Sequence, residues 1–60
     1  MDLDQNLSDS KLFELMNECI NSDDTEVAHG IADELLTIKL RQLGYGDLCD
    51  LYARVHKWYA

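Results

Sequence analysis

The fold is decided by residues 27–43, which read VAHGIADELLTIKLRQL. The apolar positions in this stretch are Val27, Ala28, Ile31, Ala32, Leu35, Leu36, Ile38, Leu40 and Leu43. Most of them recur at intervals of three and four residues, which is typical of an α-helix, and together they cover more than a single stripe of its surface. This helix is therefore predicted to be the central element, buried against two neighbours or against a second chain.

A first helix is predicted over residues 8–21, upstream of a polar break at residues 21–24. Its apolar stripe consists of Leu12, Leu15, Met16, Cys19 and Ile20. Ser8, Asp9 or Ser10 can cap its start, because their side chains can accept a hydrogen bond from a free amide of the first turn. Asp23, followed three places later by Glu26, is a capping-box-like start for the central helix.

A third helix is predicted from Asp47 to the end of the chain. Gly44 lies where a left-handed C-cap would end the central helix, and Asp47 can cap the next one. The apolar repeat then continues through Leu48, Leu51, Tyr52, Val55 and Trp58 or Tyr59. The fold class is therefore all-α, with links of about three residues between neighbouring helices.

The small size of the chain predicts that it needs additional stabilisation. A domain of 60 residues has a thin core. Cys19 and Cys49 lie within helical patterns and are predicted to be reduced core thiols. Self-association remains as the source of stability, so we expect a small two- to three-helix bundle completed by homodimerisation.

The expected organisation is a flexible arm over residues 1–7 and a single helical domain over residues 8–60. Leu3 or Leu7 can dock the arm onto the helices, and a short strand pairing with its twin across a dimer axis is the alternative. The residues expected at the interface are Ile31, Leu35, Leu36, Leu51, Tyr52, Val55, Trp58 and Tyr59.

The formal charge of −7 is unevenly distributed. Residues 1–26 contain eight carboxylates and one lysine, whereas residues 27–60 contain four carboxylates and four lysines or arginines. This distribution argues against direct nucleic-acid binding, which needs several cations together, and favours a protein partner. The sequence has neither a membrane-length apolar run nor a signal-peptide pattern, so a cytoplasmic protein without a membrane partner is expected.

One helix face carries a weak candidate metal site. Glu26, His29 and Asp33 lie at i, i+3 and i+7, but three ligands on one helix cannot complete a tetrahedron. A structural hydrogen bond from His29 to Asp33 is the favoured interpretation, so we expect no metal or cofactor. No serine or threonine lies in a nucleophile motif, and no catalytic residue is expected. Gly30 indicates either a close helix approach or a tolerated weak position.

About half of the chain resembles short proteins encoded by temperate phages and prophages. The resemblance depends on Ala28-His29 with Ala32-Asp33, on Leu43-Gly44-Tyr45 and on Lys57-Trp58-Tyr59-Ala60. It implies a small early protein of the lambda-like phage type, which binds a host or phage protein and biases infection toward lysis or lysogeny. The first 26 residues do not share the pattern.

Three functional hypotheses follow from these observations. The first is a helical homodimer that acts as a regulator or adaptor by binding a protein. The second is a DNA mimic whose acidic face blocks a basic host protein. The third is a direct nucleic-acid-binding regulator that uses Arg41, Arg54, Lys57 and the C-terminal aromatic residues. The absence of a basic stripe argues against this third hypothesis.

Overall fold

A computed structural model describes residues 3–55 and contains three α-helices. They are α1 (Asp9–Ile20), α2 (Thr25–Gln42) and α3 (Gly46–Ala53). Helix α2 packs against both α1 and α3, while α1 and α3 do not contact each other. The predicted all-α class and the central position of α2 are confirmed. None of the helices in residues 3–55 combines the length and the apolar character needed to cross a membrane.

The helix starts follow the predicted capping chemistry at one helix and depart from it at two. At α1, the Ser8 hydroxyl accepts a hydrogen bond from the Lys11 amide at 3.2 Å. At α2, the capping residue is Asp24, whose carboxylate accepts from the Val27 amide at 3.1 Å. The prediction of Asp23 as the cap was one residue too early, because the Ser22 hydroxyl accepts from the Asp24 amide at 3.2 Å and turns the chain at that point.

The predicted cap of α3 was also wrong. Asp47 lies inside the first turn of α3, and Tyr45 occupies the capping position without a side-chain hydrogen bond to the helix. The turn after α2 closes so tightly that α3 begins at Gly46. The aspartate can therefore act only through its charge, which the positive end of the helix dipole favours.

The end of α2 is a Schellman motif centred on Gly44, which confirms the left-handed C-cap predicted at this glycine. Gly44 has φ +94°, a backbone conformation that side chains with a Cβ rarely adopt. Its amide donates to the Arg41 carbonyl at 3.0 Å, and the Tyr45 amide donates to the Leu40 carbonyl at 2.9 Å. This hydrogen-bond pattern satisfies two carbonyl groups at the helix end and sends the chain back along α2.

Helix α3 ends earlier than the sequence pattern predicted. The Arg54 and Val55 amides donate to carbonyl groups three residues back, at 3.0 Å each, and the last helical residue is Ala53. The prediction of a helix to the chain end is therefore wrong at Val55, which lies beyond α3. Trp58 and Tyr59, which the same prediction included, lie outside the described residues.

The core lies between α1 and α2. Leu12, Leu35 and Ile38 form its buried cluster. Partly buried residues surround it, namely Leu3, Leu7, Leu15, Met16, Cys19 and Ile31. Leu35, expected at an interface between chains, is instead part of the chain's own core, because α2 turns this side toward α1.

Residues 3–7 lie against the helices. Leu3 and Leu7 pack on the core cluster. The Gln42 side-chain amide donates to the Leu7 carbonyl at 2.7 Å and to the Gln5 carbonyl at 3.1 Å. The docked alternative describes residues 3–7 better than a flexible arm, and no strand occurs within residues 3–55.

Both cysteines are free thiols, as predicted. Cys19 is half-buried and packs on the core cluster. Cys49 is buried between α2 and α3, with its sulfur 3.5 Å from the Thr37 carbonyl oxygen. Cys49 is thus the buried residue of α3 that packs on α2.

Candidate protein-binding groove

The apolar stripe of α3 faces away from the core. Leu48, Leu51 and Tyr52 lie at i, i+3 and i+4 on α3, and Val55 continues the spacing just beyond the helix end, yet 40–58% of each residue's surface is exposed. In an isolated domain, a stripe with this spacing is normally the buried side of its helix. Here the buried residue of α3 is Cys49, on another side of the helix. The stripe is therefore largely exposed, although its spacing is typical of a buried face.

A second apolar row lies on α2. Leu36, Leu40 and Leu43 follow one another at i, i+4 and i+7, and Leu36 and Leu43 are exposed while Leu40 is half-buried. These residues lie on a different side of α2 from Leu35 and Ile38, which face the core. Helix α2 therefore presents apolar surface on two sides, as its wide apolar pattern predicted.

An apolar groove of about 290 Å³ lies between α2 and α3, and we call it the α2–α3 groove. Its walls are formed by Asp33, Leu36, Thr37, Leu40, Leu48, Cys49 and Tyr52. Leu36 and Leu40 lie one turn apart on α2, and Leu48 and Tyr52 lie one turn apart on α3. Two facing rows with a four-residue repeat match the side-chain spacing of a helix placed between them.

A wider and more polar cleft of about 600 Å³ adjoins the groove. The two share Asp33, Thr37, Cys49 and Tyr52. At its edge the Arg41 guanidinium donates to the Asp50 carboxylate at 2.8 Å, and this hydrogen bond is the main reason why the pKa of Arg41 is raised. The pair is exposed, so it links α2 to α3 but stabilises the fold only weakly.

Tyr52 of α3 is hydrogen-bonded to Asp33 of α2, and both residues line the groove. The pKa of Tyr52 is raised above its ordinary value, first by desolvation of the phenol and then by the negative charge of Asp33 and a hydrogen bond to it. Each of these effects disfavours the phenolate. The neutral phenol is thus the form that the folded protein holds at the groove.

The stability that this phenol contributes will depend on pH in the alkaline range. A raised pKa in the folded state gives a contribution that is complete below the unfolded value of about 10 and is lost as pH rises through the folded value. We expect the Asp33→Asn variant to bring the pKa of Tyr52 back toward the ordinary value. Ultraviolet absorbance titrations, with the Tyr52→Phe titration subtracted, isolate this residue. An unchanged pKa in Asp33→Asn would exclude Asp33 as a cause.

The candidate metal set is not assembled. Among residues 3–55, no group of three or more His, Cys, Asp or Glu side chains is placed to hold a metal ion. Glu26, His29 and Asp33 therefore do not form the site that their spacing suggested. Asp33 instead lies at the groove beside Tyr52, a neighbour from another helix that spacing along α2 could not reveal.

Gly30 is not a site of close helix approach within the described chain. A Cβ built at this position meets no atom within 4 Å, so the residue faces open space beside the wider cleft. The explanation based on helix crossing is wrong for residues 3–55, and the alternative of a tolerated weak position in α2 agrees with the structure.

The expected interface residues are divided between the core and the surface. Leu35 is in the core and Ile31 packs on it, whereas Leu36, Leu51, Tyr52 and Val55 are exposed. Leu40 and Leu48, which line the groove, were not among the expected interface residues. The signal for them was present in the repeats Leu36-Leu40-Leu43 and Leu48-Leu51-Tyr52-Val55.

Most of the acidic residues described by the structure precede Val27, on α1, in the turn that follows it and at the start of α2. Glu14, Glu18, Asp23, Asp24 and Glu26 are all exposed. Lys11 pairs with Glu14 at 3.3 Å, and Lys39 of α2 pairs with Asp9 at 2.7 Å. Residues 3–26 are therefore strongly negative, whereas the α2–α3 groove is apolar.

No protein-family model matches the chain, and comparisons with curated proteins and with solved structures also give no match. The fold and the groove define a small all-α protein with an exposed apolar groove between two helices. Any functional conclusion therefore depends on the chemistry of this surface.

Proposed function

We propose that the chain is a small acidic regulatory or adaptor protein of the temperate-phage type, which acts by binding another protein and catalyses no reaction. The observation that best supports this proposal is the exposed apolar stripe of α3 beside the α2–α3 groove. Contiguous apolar surface on a small protein is most often a binding surface. The partner is a host or phage protein, and its binding biases the course of infection.

The shape of the groove supports recognition of a helical segment. Its walls carry Leu36 and Leu40 on one side and Leu48 and Tyr52 on the other. An amphipathic helix placed between them would insert apolar side chains at i, i+4 and i+7.

The proposal is tested by capture of partners from a bacterial host extract with immobilised full-length protein. We expect Leu48→Glu to lose the partner that the wild type captures, because the substitution places a charge in the groove wall. Phe13→Glu is the matched control, since Phe13 is 71% exposed on α1 and does not line the groove. Capture would then be repeated with the purified partner to measure the difference in affinity.

Two outcomes of this experiment would contradict the proposal. If wild type and Leu48→Glu capture the same proteins with equal affinity, the groove is not the binding site. If the wild type captures no specific protein, action through a protein partner is not supported.

A DNA mimic is the second candidate, because exposed carboxylates are concentrated on α1 and the α1–α2 turn. A basic partner held by this face would dissociate steeply as salt concentration rises, whereas a partner held by the apolar groove would not. Measuring the captured complex at low and high salt separates the two candidates. Charge reversal at Glu18 would weaken the first kind of complex and leave the second unchanged.

A further inference from the structure

We infer that the resting occupant of the α2–α3 groove is a second copy of this chain. The inference rests on the proposed function, since it takes the same groove as a binding surface and names what covers it before a partner arrives. The charge distribution, the exposed apolar area and the thin core each support it.

The charge distribution permits two copies to meet at this surface. The whole net charge of −7 comes from residues 1–26, where eight carboxylates oppose one lysine, while the four carboxylates and four cations of residues 27–60 cancel. All the residues that line the α2–α3 groove belong to the segment whose charges cancel. Contact through α1 would bring two strongly negative faces together, which is unfavourable.

The exposed apolar area is close to what a stable dimer covers. From the second half of α2 to the residues just after α3, the chain carries seven large apolar residues that are each 40–59% exposed: Leu36, Leu43, Tyr45, Leu48, Leu51, Tyr52 and Val55. At about 150–250 Å² for a fully exposed aromatic side chain, and less for an aliphatic one, they offer on the order of 600 Å² spread over this part of the chain. A standard interface covers roughly 800 Å² on each partner.

The core of the single chain is thin. Within residues 3–55, only Leu12, Ala28, Leu35, Ile38 and Cys49 are buried. A domain of this size is usually only marginally stable on its own core, and a disulfide, a metal or a second chain is a common source of further stability. Both cysteines are free, and no metal site is assembled within residues 3–55.

A two-fold symmetric dimer covers the exposed apolar surface of both chains at the same time. In such a dimer α3 of each chain packs over the groove of the other, so that every contact occurs twice. A protein partner with a helix of similar spacing would compete with the second copy for the same rows. Partner binding is therefore expected to oppose self-association.

The test is the mass of the wild-type chain in solution, measured by light scattering over a dilution series together with the melting temperature. We expect twice the 6.9 kDa of one chain at high concentration, and a melting temperature that rises with concentration. Leu48→Glu is expected to remain at the single-chain mass, and Phe13→Glu to behave as the wild type. Circular dichroism reports whether each variant is helical, and the wild-type dilution series decides the question even if Leu48→Glu does not fold.

A wild-type chain that keeps the single-chain mass at every concentration overturns the inference. A dimer that survives Leu48→Glu but is lost in Phe13→Glu also overturns it, because α1 is then the contact surface. The two proposals fail separately: a monomer whose capture of a partner depends on Leu48 leaves the proposed function intact. A Leu48-dependent dimer that captures no partner supports self-association alone.

Discussion

The Ile38→Ala variant is expected to be largely unfolded at room temperature. Ile38 has no exposed surface and packs with Leu12 and Leu35 in the buried cluster between α1 and α2. Truncating a buried isoleucine to alanine costs about 2–5 kcal/mol of unfolding free energy. A core of this size rarely supplies more than about 3–5 kcal/mol in total, so one substitution removes most of the stability. Far-ultraviolet circular dichroism with urea titration measures the loss.

Ile20→Ala is the matched control for this prediction. It is the same chemical change at a residue that is 74% exposed at the end of α1. Surface substitutions of this kind usually change stability by less than about 0.5 kcal/mol. Equal urea midpoints for the two variants would show that Ile38 is not a core residue, and the position of the core between α1 and α2 would then be wrong.

Exchanging glycine for alanine at two positions is expected to change stability in opposite directions. At Gly44, where φ is +94°, alanine must adopt a left-handed conformation that costs about 1–2 kcal/mol. At Gly30, within α2, a Cβ meets no atom within 4 Å, so alanine should raise stability by roughly 0.5–1 kcal/mol through its better helix propensity. A change of 1 kcal/mol shifts the melting temperature of a domain this small by roughly 4–8 °C.

Thermal melts of both variants, at one matched concentration, check this prediction. Gly44→Ala should melt below the wild type and Gly30→Ala above it. A lower melting temperature for Gly30→Ala would indicate that another chain approaches this position closely in solution, as in a helix crossing between two chains. A Gly44→Ala variant as stable as the wild type contradicts the Schellman end of α2.

The helices were predictable because their signals are local. The apolar repeat of α2, the hydroxyl of Ser8 and the glycine at position 44 act on backbone groups within a few residues, and each has the predicted role. The errors at Asp23 and Asp47 are also local. They arose because several acceptors compete for the same turn, and the choice among them depends on backbone angles that residue type alone does not fix.

The groove was only partly predictable. The sequence placed Leu36, Leu51, Tyr52 and Val55 at an interface, and these residues are exposed, but it placed Leu35 there too. Adjacent residues on a helix point about 100° apart, so Leu35 and Leu36 cannot share one flat contact. Which of them faces α1 depends on how the two helices cross, and that information is spread over both helices.

The sequence by itself determined the all-α class, the central role of α2, the glycine turn and the separation of charge between residues 1–26 and 27–60. Only the tertiary structure decided that α3 buries Cys49 against α2 and turns its apolar stripe outward, and that Asp33 lies beside Tyr52. The reason is physical: backbone hydrogen bonding and periodicity are properties of neighbouring residues. The direction in which an amphipathic helix faces is set by what the other helices leave uncovered.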